Sequence, residues 1–232
     1  KVAVGIDARN LPQSLQQFSD ILDKLRAQGI SSEILFITCD PATLIKRFSE
    51  TRRRHPLSNE YVSLAEAVEL ERQLLEPIAQ RADLFIDTSQ TTVHQLRDMV
   101  QQRVEHREDS HLSLMFQSFG FKHGIPGDAD FVFDVRCLPN PHWRTELRPL
   151  TGRDEAVAKY LGSEASVKAM VENLVTFLDT WIPAFEADNR SYLTVAIGCT
   201  GGQHRSVYLV EQLHRHFRER YPHITTRHRE LP

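Results

Sequence analysis

The chain has few cysteines and no long apolar run. Its 232 residues include three cysteines, Cys39, Cys137 and Cys199, which are widely scattered and odd in number. This usage fits a reducing cytoplasm better than a disulfide framework, and the absence of paired spacing predicts no zinc site. We expect no bound metal in this chain. No run of about 18 apolar residues and no signal-like start is present, so we expect a cytoplasmic protein without a membrane contact.

The chain also lacks a strong net charge. Its formal net charge is -3, which argues against general attraction to nucleic acid, so any RNA contact needs a local basic patch. With 41% hydrophobic and 25% charged residues, the chain can bury one large core or two modest ones. We prefer two domains.

A third absence concerns nucleotide chemistry. The sequence contains no Gly-x-x-x-x-Gly-Lys-Ser/Thr loop, and it starts without methionine inside an apolar pattern, Val2 to Ile6. We therefore expect a fragment whose natural N-terminus lies upstream. The pattern predicts a strand with Asp7 at its tip, where a carboxylate suits magnesium or ribose; an equally good interpretation is a helix N-terminal cap.

Strand-like and helix-like segments alternate along the chain, which predicts a parallel α/β fold. The predicted strands are 2–6, 32–38, 83–88, 112–116, 131–136, 193–197 and 224–226. The predicted helices are 15–25, one opened by Pro41, 64–79, 91–103 with Ser89 or Thr91 as its cap, 167–177 and 207–220. Residues 101–110 are polar and without apolar periodicity, so we place a domain boundary there, giving domains 1–106 and 107–232.

A glycine-rich segment follows the strand 193–197. Gly198 to Ser206 reads Gly-Cys-Thr-Gly-Gly-Gln-His-Arg-Ser and leads into a helix pattern at Val207. Glycines let backbone N–H groups converge, a helix start adds the positive end of its dipole, and Arg205 can bind phosphate oxygens in a bidentate manner. The segment predicts a site for a phosphorylated ligand.

Two other interpretations of this segment stay open. Cys199 and Arg205 are separated by five residues and followed by Ser206, which is the spacing of cysteine-dependent phosphatases. Alternatively, the glycines form a plain turn between strand and helix that binds nothing.

Three further side chains could converge on the same segment. Asp134 and Arg136 alternate with apolar residues at a strand end, and His142 lies on a proline-rich loop that could cover the site. A structural ion pair and a loop histidine packed on Trp143 are the alternatives.

Basic residues concentrate near the C-terminal end. From Gly201 to Pro232 there are six arginines and five histidines against three glutamates. These residues could contact RNA phosphates, with aromatic residues among them for stacking, or form an ordinary solvated face. The basic candidates are Arg215, Arg218, Arg220, Arg227, His228 and Arg229.

Several long motifs together resemble one known family, the RapZ family of RNase adapter proteins. They are Gly5 to Pro12, Asp40 to Arg47, Thr51 to Leu57, Phe116 to Gly124, Phe133 to Trp143 and Ala196 to Ser206. The resemblance extends over essentially all 232 residues. It implies an N-terminal P-loop-kinase-like domain with a parallel sheet, incomplete here, and a C-terminal α/β domain similar to phosphofructokinase.

The resemblance also implies a function. Family members bind a small regulatory RNA, present it to RNase E, and respond to glucosamine-6-phosphate, so that synthesis of the amino-sugar synthase is controlled. We therefore expect an adapter and metabolite sensor, not an enzyme, that forms homo-oligomers and whose partners extend to a two-component signalling system. No cofactor is required; ATP or GTP with magnesium is expected only in the complete protein, and we expect this chain not to hydrolyse either nucleotide.

Candidate site residues follow from the resemblance and the motifs together. The nucleotide motif resembles Asp7, Ala8, Arg9 and Asn10. The phosphosugar pocket resembles His142 with Thr200, Gly201, Gly202, His204 and Arg205, and the candidate set adds Asp134, Arg136, Cys199, Gln203 and Ser206. The RNA candidates are Lys122, Arg215, Arg218, Arg227, His228 and Arg229. Family tails end in a lysine- and arginine-rich cluster, whereas this chain stops at Arg229-Glu230-Leu231-Pro232, so we expect less than the family's full RNA affinity.

Overall fold

The computed structural model describes residues 2–8, 17–51, 53–101, 112–188, 190–221 and 224–231. It divides into two compact units, Lys1–Thr91 and Thr92–Pro232. The predicted boundary between 106 and 107 lies among residues 102–111, outside the described residues, and stays a prediction. None of the helices described here is long and apolar enough to cross a membrane.

The first unit contains a small parallel sheet and three described helices. Strands β1 (Leu35–Thr38) and β2 (Leu84–Asp87) pair in parallel with Leu35 opposite Leu84. The helices are α1 (Phe18–Ala27), α2 (Pro41–Thr51) and α3 (Leu64–Ala79). Because parallel neighbours need a long crossover, the helices between β1 and β2 are what the parallel pairing requires. The predicted α/β character is confirmed.

Helix α3 begins at a capping box. The Ser63 hydroxyl accepts a hydrogen bond from the Glu66 backbone N–H at 3.3 Å, and the Glu66 carboxylate accepts one from the Ser63 N–H at 2.8 Å. Two of the backbone donors that a helix start leaves unpaired are thereby satisfied. The Ser-x-x-Glu spacing sets where the helix begins.

The strand predicted for residues 2–6 is wrong. Residues 2–7 have no regular secondary structure, and in the part of the chain that the structure describes the first sheet has two strands, β1 and β2. Val2 and Val4 are 93% and 78% exposed. Alternating apolar residues suit a sheet, but a strand also needs a neighbour to complete its ladder of backbone hydrogen bonds, and the described residues provide none for this segment.

The second unit is built on a four-stranded parallel sheet. Its strands are β3 (Ser113–Gly120), β4 (Phe131–Asp134), β5 (Tyr192–Cys199) and β6 (Ile224–His228), in the order β4-β5-β3-β6. The helices are α4 (Val93–Val100), α5 (Glu155–Ser163), α6 (Ala165–Ala187) and α7 (Arg205–Phe217). All three pairings are parallel, so the strands end at one edge of the sheet.

The core of this unit lies around the two central strands. Every residue of β3 and β5 is buried, as expected for parallel strands that are covered on both faces. Helix α7 contributes a fully buried Phe217, whose ring lies 5.7 Å from that of Phe116 on β3. Burying such side chains contributes about 1.5–3 kcal/mol each. Helix α7 is therefore packed firmly against the sheet, up to its last residue.

Several predicted boundaries in this unit need correction. Helix α4 is capped by Thr92, through a capping box with Gln95, and not by Ser89 or Thr91. The Ser89 hydroxyl instead accepts a hydrogen bond from the Asp40 backbone N–H at 2.8 Å. Helix α5 was not predicted, and α6 runs on past its predicted end at residue 177 to Ala187 with Pro183 inside it. Packing of their buried faces outweighs the weak local signals that the sequence offers.

Candidate functional site

The glycine-rich segment joins the end of β5 to the start of α7. Strand β5 lies between β4 and β3, so the segment emerges near the middle of the carboxyl edge. Open parallel sheets place ligands at this edge, where loops from neighbouring strands meet. We call residues 199–206 the glycine loop. It contains all eight of the consecutive candidates Cys199, Thr200, Gly201, Gly202, Gln203, His204, Arg205 and Ser206.

Arg205 is the first residue of α7 and is only 4% exposed. Its Nη1 donates to the backbone carbonyls of Arg136 at 2.8 Å and Leu138 at 3.0 Å, and its Nη2 donates to the Thr200 hydroxyl at 3.3 Å. The guanidinium therefore ties the segment after β4 to the glycine loop. In the described part of the chain its buried Nε has no hydrogen-bond partner.

The backbone of the glycine loop passes very close to its neighbours. Gly202 has φ of +74°, a conformation that glycine adopts without strain. A Cβ at this position would lie 2.7 Å from the backbone nitrogen of Gly120 and would collide with the carboxyl group of Glu230. Gly152 packs equally closely on the first turn of α7, and its backbone N–H donates to the Gln203 carbonyl at 2.8 Å. Glycine is thus required at position 202 within the loop and at position 152 in the segment that packs against it.

Cys199 faces inward. It is 3% exposed, its sulfur accepts a hydrogen bond from the Gly202 N–H at 3.2 Å, and the Ser206 hydroxyl lies 3.2 Å away. The sulfur therefore stabilises the turn between β5 and α7 through its contacts with Gly202 and Ser206. Helix α7 has no side-chain cap at His204, so the N–H groups of its first turn face the loop.

His204 immediately precedes α7 and is buried. Its Nε2 lies 3.2 Å from the Leu147 carbonyl. Burial lowers the pKa of His204, and the hydrogen bond to that carbonyl opposes the effect. The imidazole is thus neutral near pH 7 and donates from Nε2. The centroid of the His142 ring lies 6.4 Å from that of His204, so the predicted pair does come together.

Asp134 and Arg136 form the ion pair that was the alternative interpretation. Their closest approach is 2.7 Å, and the guanidinium also lies over the Phe121 ring at 4.1 Å. The hydrogen bond from Arg136 lowers the pKa of Asp134, and the positive charge of Arg205 adds to the effect. Both side chains are substantially exposed, so this pair stabilises little by itself. Its place beside Arg205 nevertheless puts both candidates at the edge of the site.

The RNA candidates fall into different environments. Lys122, Arg215 and Arg218 are exposed. Lys122 lies beside the glycine loop, because its Nζ is 3.9 Å from the point where a Cβ of Gly201 would be. Arg227 is half-buried and donates to the Met99 sulfur at 3.1 Å, and Arg229 donates to the Gly124 carbonyl at 3.2 Å.

His228 corrects the expectation of an RNA-facing side chain. Its side chain is 3% exposed. Its Nδ1 lies 2.8 Å from the Ser118 hydroxyl and its Nε2 lies 3.0 Å from the Glu211 carboxylate. The chain carries it inward because alternate residues of a strand face opposite sides of the sheet. His228 therefore belongs to an internal polar network.

The nucleotide candidates are only partly within the described residues. Asp7 is half-buried and Ala8 is buried, whereas Arg9 and Asn10 lie outside the described residues. Asp7 is the last residue of the irregular segment 2–7 and so does not stand at the tip of a strand. Among the residues that the structure describes, no group of three or more His, Cys, Asp or Glu side chains is arranged to hold a metal ion.

Some residues of the site were missed at the sequence level. Gly120 and Gly152 approach the glycine loop from other elements, and Glu230 reaches it from the turn after β6. The motif around Gly120 was a usable signal, because a glycine at a strand end often marks a close approach of backbone. Glu230 had no such signal in the sequence, because it comes close to the glycine loop only when β6 pairs with β3.

Comparison with known proteins agrees with the architecture. A model of the RapZ-like N-terminal domain matches residues 1–108, and a model of the RapZ C-terminal domain matches residues 112–232. A nucleotide-binding protein of Nitrosococcus oceani is 57% identical over 231 residues, covering 100% of this chain and 82% of the relative. Nucleotide-binding proteins of Methylococcus capsulatus and Marinobacter nauticus are 57% and 53% identical over 232 residues, each covering 100% of this chain and 79% of the relative. The two domain matches and these relatives establish that the chain belongs to the RapZ family.

Proposed function

We propose that this chain is a metabolite-sensing RNA adapter whose glycine loop binds the phosphate of glucosamine-6-phosphate. The observation that supports the proposal most strongly is the buried Arg205 at the start of α7, fixed by two backbone carbonyls and the Thr200 hydroxyl. A guanidinium held in this way does not need to be ordered when a ligand binds, which lowers the entropic cost of association.

The donors around Arg205 suit a phosphate group. The first turn of α7 presents N–H groups at the positive end of the helix dipole. The buried Nε of Arg205 lacks a partner in the described residues, and an unpaired buried donor costs about 1–3 kcal/mol that a bound anion would recover. Lys122 adds a further positive charge beside Gly201. Neutral His204 and the nearby His142 offer hydrogen bonds to the sugar hydroxyls.

A binding role fits the glycine loop better than covalent catalysis. A phosphatase nucleophile has to reach phosphorus, whereas Cys199 is 3% exposed and its sulfur is already engaged by the Gly202 N–H. The Cys-x5-Arg spacing then reflects how the turn is braced. The chain is accordingly proposed to bind and release its sugar phosphate unchanged.

RNA binding is proposed for the exposed basic residues of the second unit. Lys122, Arg215 and Arg218 are exposed and can contact phosphates without loss of internal contacts. The RNA bound there is proposed to be a small regulatory RNA that the adapter presents to RNase E. Because Lys122 lies beside the glycine loop, a bound sugar phosphate would change the charge that RNA meets there.

Nucleotide binding is a second proposed activity, which the names of the relatives favour. Three relatives that match the whole of this chain are called nucleotide-binding proteins. Asp7 is the described residue of the motif 7–10 with a side chain suited to magnesium or ribose. We propose that ATP or GTP binds the complete protein through this region.

Calorimetry with glucosamine-6-phosphate tests the sensor role. We expect the parent chain to bind it and Arg205→Ala to lose at least about tenfold in affinity, because a charge-assisted donor to phosphate is removed. Since Arg205 also ties two segments together, Thr200→Val is the milder second variant, and Arg218→Ala is the control for loss of an exposed arginine. Unchanged affinity in both loop variants, with folding intact, would rule the site out.

Arg205→Ala also tests whether metabolite and RNA are coupled. We expect added sugar phosphate to change the RNA affinity of the parent chain and of Arg97→Ala, an exposed arginine outside the proposed surfaces, but not that of Arg205→Ala. Linkage requires the RNA to change the affinity for the sugar phosphate by the same factor. Equal RNA affinity with and without the metabolite in the parent chain would leave two binding sites but no sensor.

A further inference from the structure

A carboxylate reaches the glycine loop from the turn that follows β6. The carboxyl group of Glu230 lies directly against Gly202, where even a methyl group would not fit. The neighbouring backbone N–H of Gly120 serves as a hydrogen-bond donor to it. Gly120 and Cys199 are opposite one another in the β3–β5 pair, so the carboxylate sits between the ends of two strands, next to the proposed phosphate site.

The charge of this carboxylate is poorly compensated. Its Oε2 is buried and has no hydrogen-bond partner among the described residues. Burial raises the pKa of Glu230, while the Gly120 N–H, Arg229 and His123 oppose the rise. The Arg229 guanidinium donates to the Gly124 carbonyl at 3.2 Å, so its charge acts from a distance. One carboxylate oxygen thus stays buried and unpaired beside the glycine loop, and leaving such an atom without a partner is costly unless it serves another purpose.

We propose that Glu230 determines the specificity of the phosphate site, disfavouring ligands that carry only negative charge and favouring phosphorylated ligands that also carry an ammonium group. The inference rests on the proposed function, because it concerns the same loop. The Glu230 carboxylate and a ligand phosphate are both negative, so they repel each other across the poorly solvated backbone of the loop. An ammonium group on the same ligand is attracted to the carboxylate and offsets that repulsion. The neutral glycines of the loop cannot make this distinction.

A purely structural role for Glu230 predicts something different. If the side chain served only to accept a hydrogen bond from Gly120, glutamine would replace it without consequence for ligands, because its amide oxygen accepts the same bond. Charge and hydrogen bonding are therefore separable at this position. Glu230→Gln removes the charge and keeps both the shape and the acceptor.

The experiment compares glucosamine-6-phosphate with glucose-6-phosphate, which differ by the amino group, and with inorganic phosphate. Each is titrated calorimetrically into the parent chain, Glu230→Gln, Glu230→Asp and Glu186→Gln. Glu186 is the matched control, because it is exposed and lies near the C-terminal end of α6, which leads into the amino end of β5 at the opposite edge of the sheet. Thermal unfolding of each variant checks that the fold is kept.

We expect Glu230→Gln to reduce the preference for the amino sugar by about tenfold, mostly through tighter binding of glucose-6-phosphate and inorganic phosphate. Glu230→Asp and Glu186→Gln should keep the parent's order of preference. The inference is overturned if Glu230→Gln binds the two sugar phosphates in the parent's ratio. If none of the three ligands binds the parent chain, the proposed function itself is wrong.

Discussion

At the scale of single residues, the site depends on side chains and glycines that are fixed before any ligand arrives. Arg205 is held by two backbone carbonyls, Cys199 braces the loop from inside, and Gly202 passes where no side chain fits. Substitution of residues that are buried and closely packed in this way disturbs their neighbours. Their replacement alters stability as well as binding, and the two effects have to be measured separately.

The cost of placing a side chain in the glycine loop can be measured at Gly202. We expect Gly202→Ala to destabilise the chain by more than the roughly 1–3 kcal/mol that a left-handed conformation alone costs a residue with a side chain. The added methyl group would also meet the backbone nitrogen of Gly120, 2.7 Å away, and the carboxyl group of Glu230. Urea unfolding gives the free energy of both forms.

Gly29→Ala is the control for this measurement. Gly29 follows the end of α1 and has φ of +77°, but nothing lies within 4 Å of its Cβ position. It therefore reports the conformational cost without the collision. A loss at Gly202 no larger than at Gly29 would mean that the loop can move away from Gly120 at little cost.

At the scale of secondary-structure elements, local signals in the sequence succeed where the chain supplies its own partners. The Ser63-x-x-Glu66 capping box marks the start of α3, and the glycine loop separates β5 from α7 as predicted. Residues 2–6 show the limit, because their apolar alternation resembles a strand but a strand exists only with a paired neighbour. Glu230 shows the same limit, because no local sequence pattern predicts that a residue in the turn after β6 contacts Gly202.

The same reasoning separates the parts of the site that the sequence could predict. The stretch 199–206 was predictable, because glycines, a helix start and an arginine are contiguous there. The contacts of Arg205 with the carbonyls of Arg136 and Leu138 were not, because they join residues that are 69 and 67 positions apart. His228 was assigned to the surface from its charge type alone, whereas the strand's alternation turns it inward.

The capping box of α3 gives a prediction at this scale. Ser63→Ala should reduce the free energy of unfolding by about 1 kcal/mol, because a helix N-terminal donor loses its partner. Ser49→Ala is the matched control, since the Ser49 hydroxyl donates to the Ile45 carbonyl in the middle of α2, a bond that adds little to a helix. Equal losses in the two variants, measured in urea, would assign no special role to the cap.

At the scale of the whole molecule, the buried histidines of the second unit make stability depend on pH. Burial lowers the pKa of His204 and of His228; the hydrogen bond to the Leu147 carbonyl opposes the shift in His204, and that to Glu211 opposes it in His228. Each histidine titrates at a lower pH in the folded chain than in the unfolded chain, where its pKa is about 6.5. Between the two values the unfolded chain binds more protons, so stability falls as the pH falls.

We therefore expect the free energy of unfolding to be steady above about pH 6.5 and to decline as the pH is lowered through the folded pKa values. The carboxylates contribute at lower pH. Although burial alone would raise the pKa of Glu211, the hydrogen bonds from Arg153 and His228 leave it lowered, below a reference value of 4.5. Urea unfolding between pH 5 and pH 8 measures the decline.

Histidine variants assign this pH dependence. His228→Gln should flatten the decline, because glutamine accepts from Ser118 and donates to Glu211 without titrating. His94→Gln, an exposed change on α4, should leave it as it is. A decline that is the same in the parent chain and in His228→Gln would show that the internal network of Ser118, His228 and Glu211 does not couple protonation to folding.

The dual attachment of Arg205 has a mechanical consequence. Its backbone belongs to α7, whereas its guanidinium donates hydrogen bonds to the segment that leads from β4 toward His142. If an anion binds at Arg205 as proposed, a small shift of the guanidinium would displace the start of α7 and the segment after β4 together. That segment continues to His142 and to Trp143, which is 78% exposed, so binding would be communicated to the surface at these two residues.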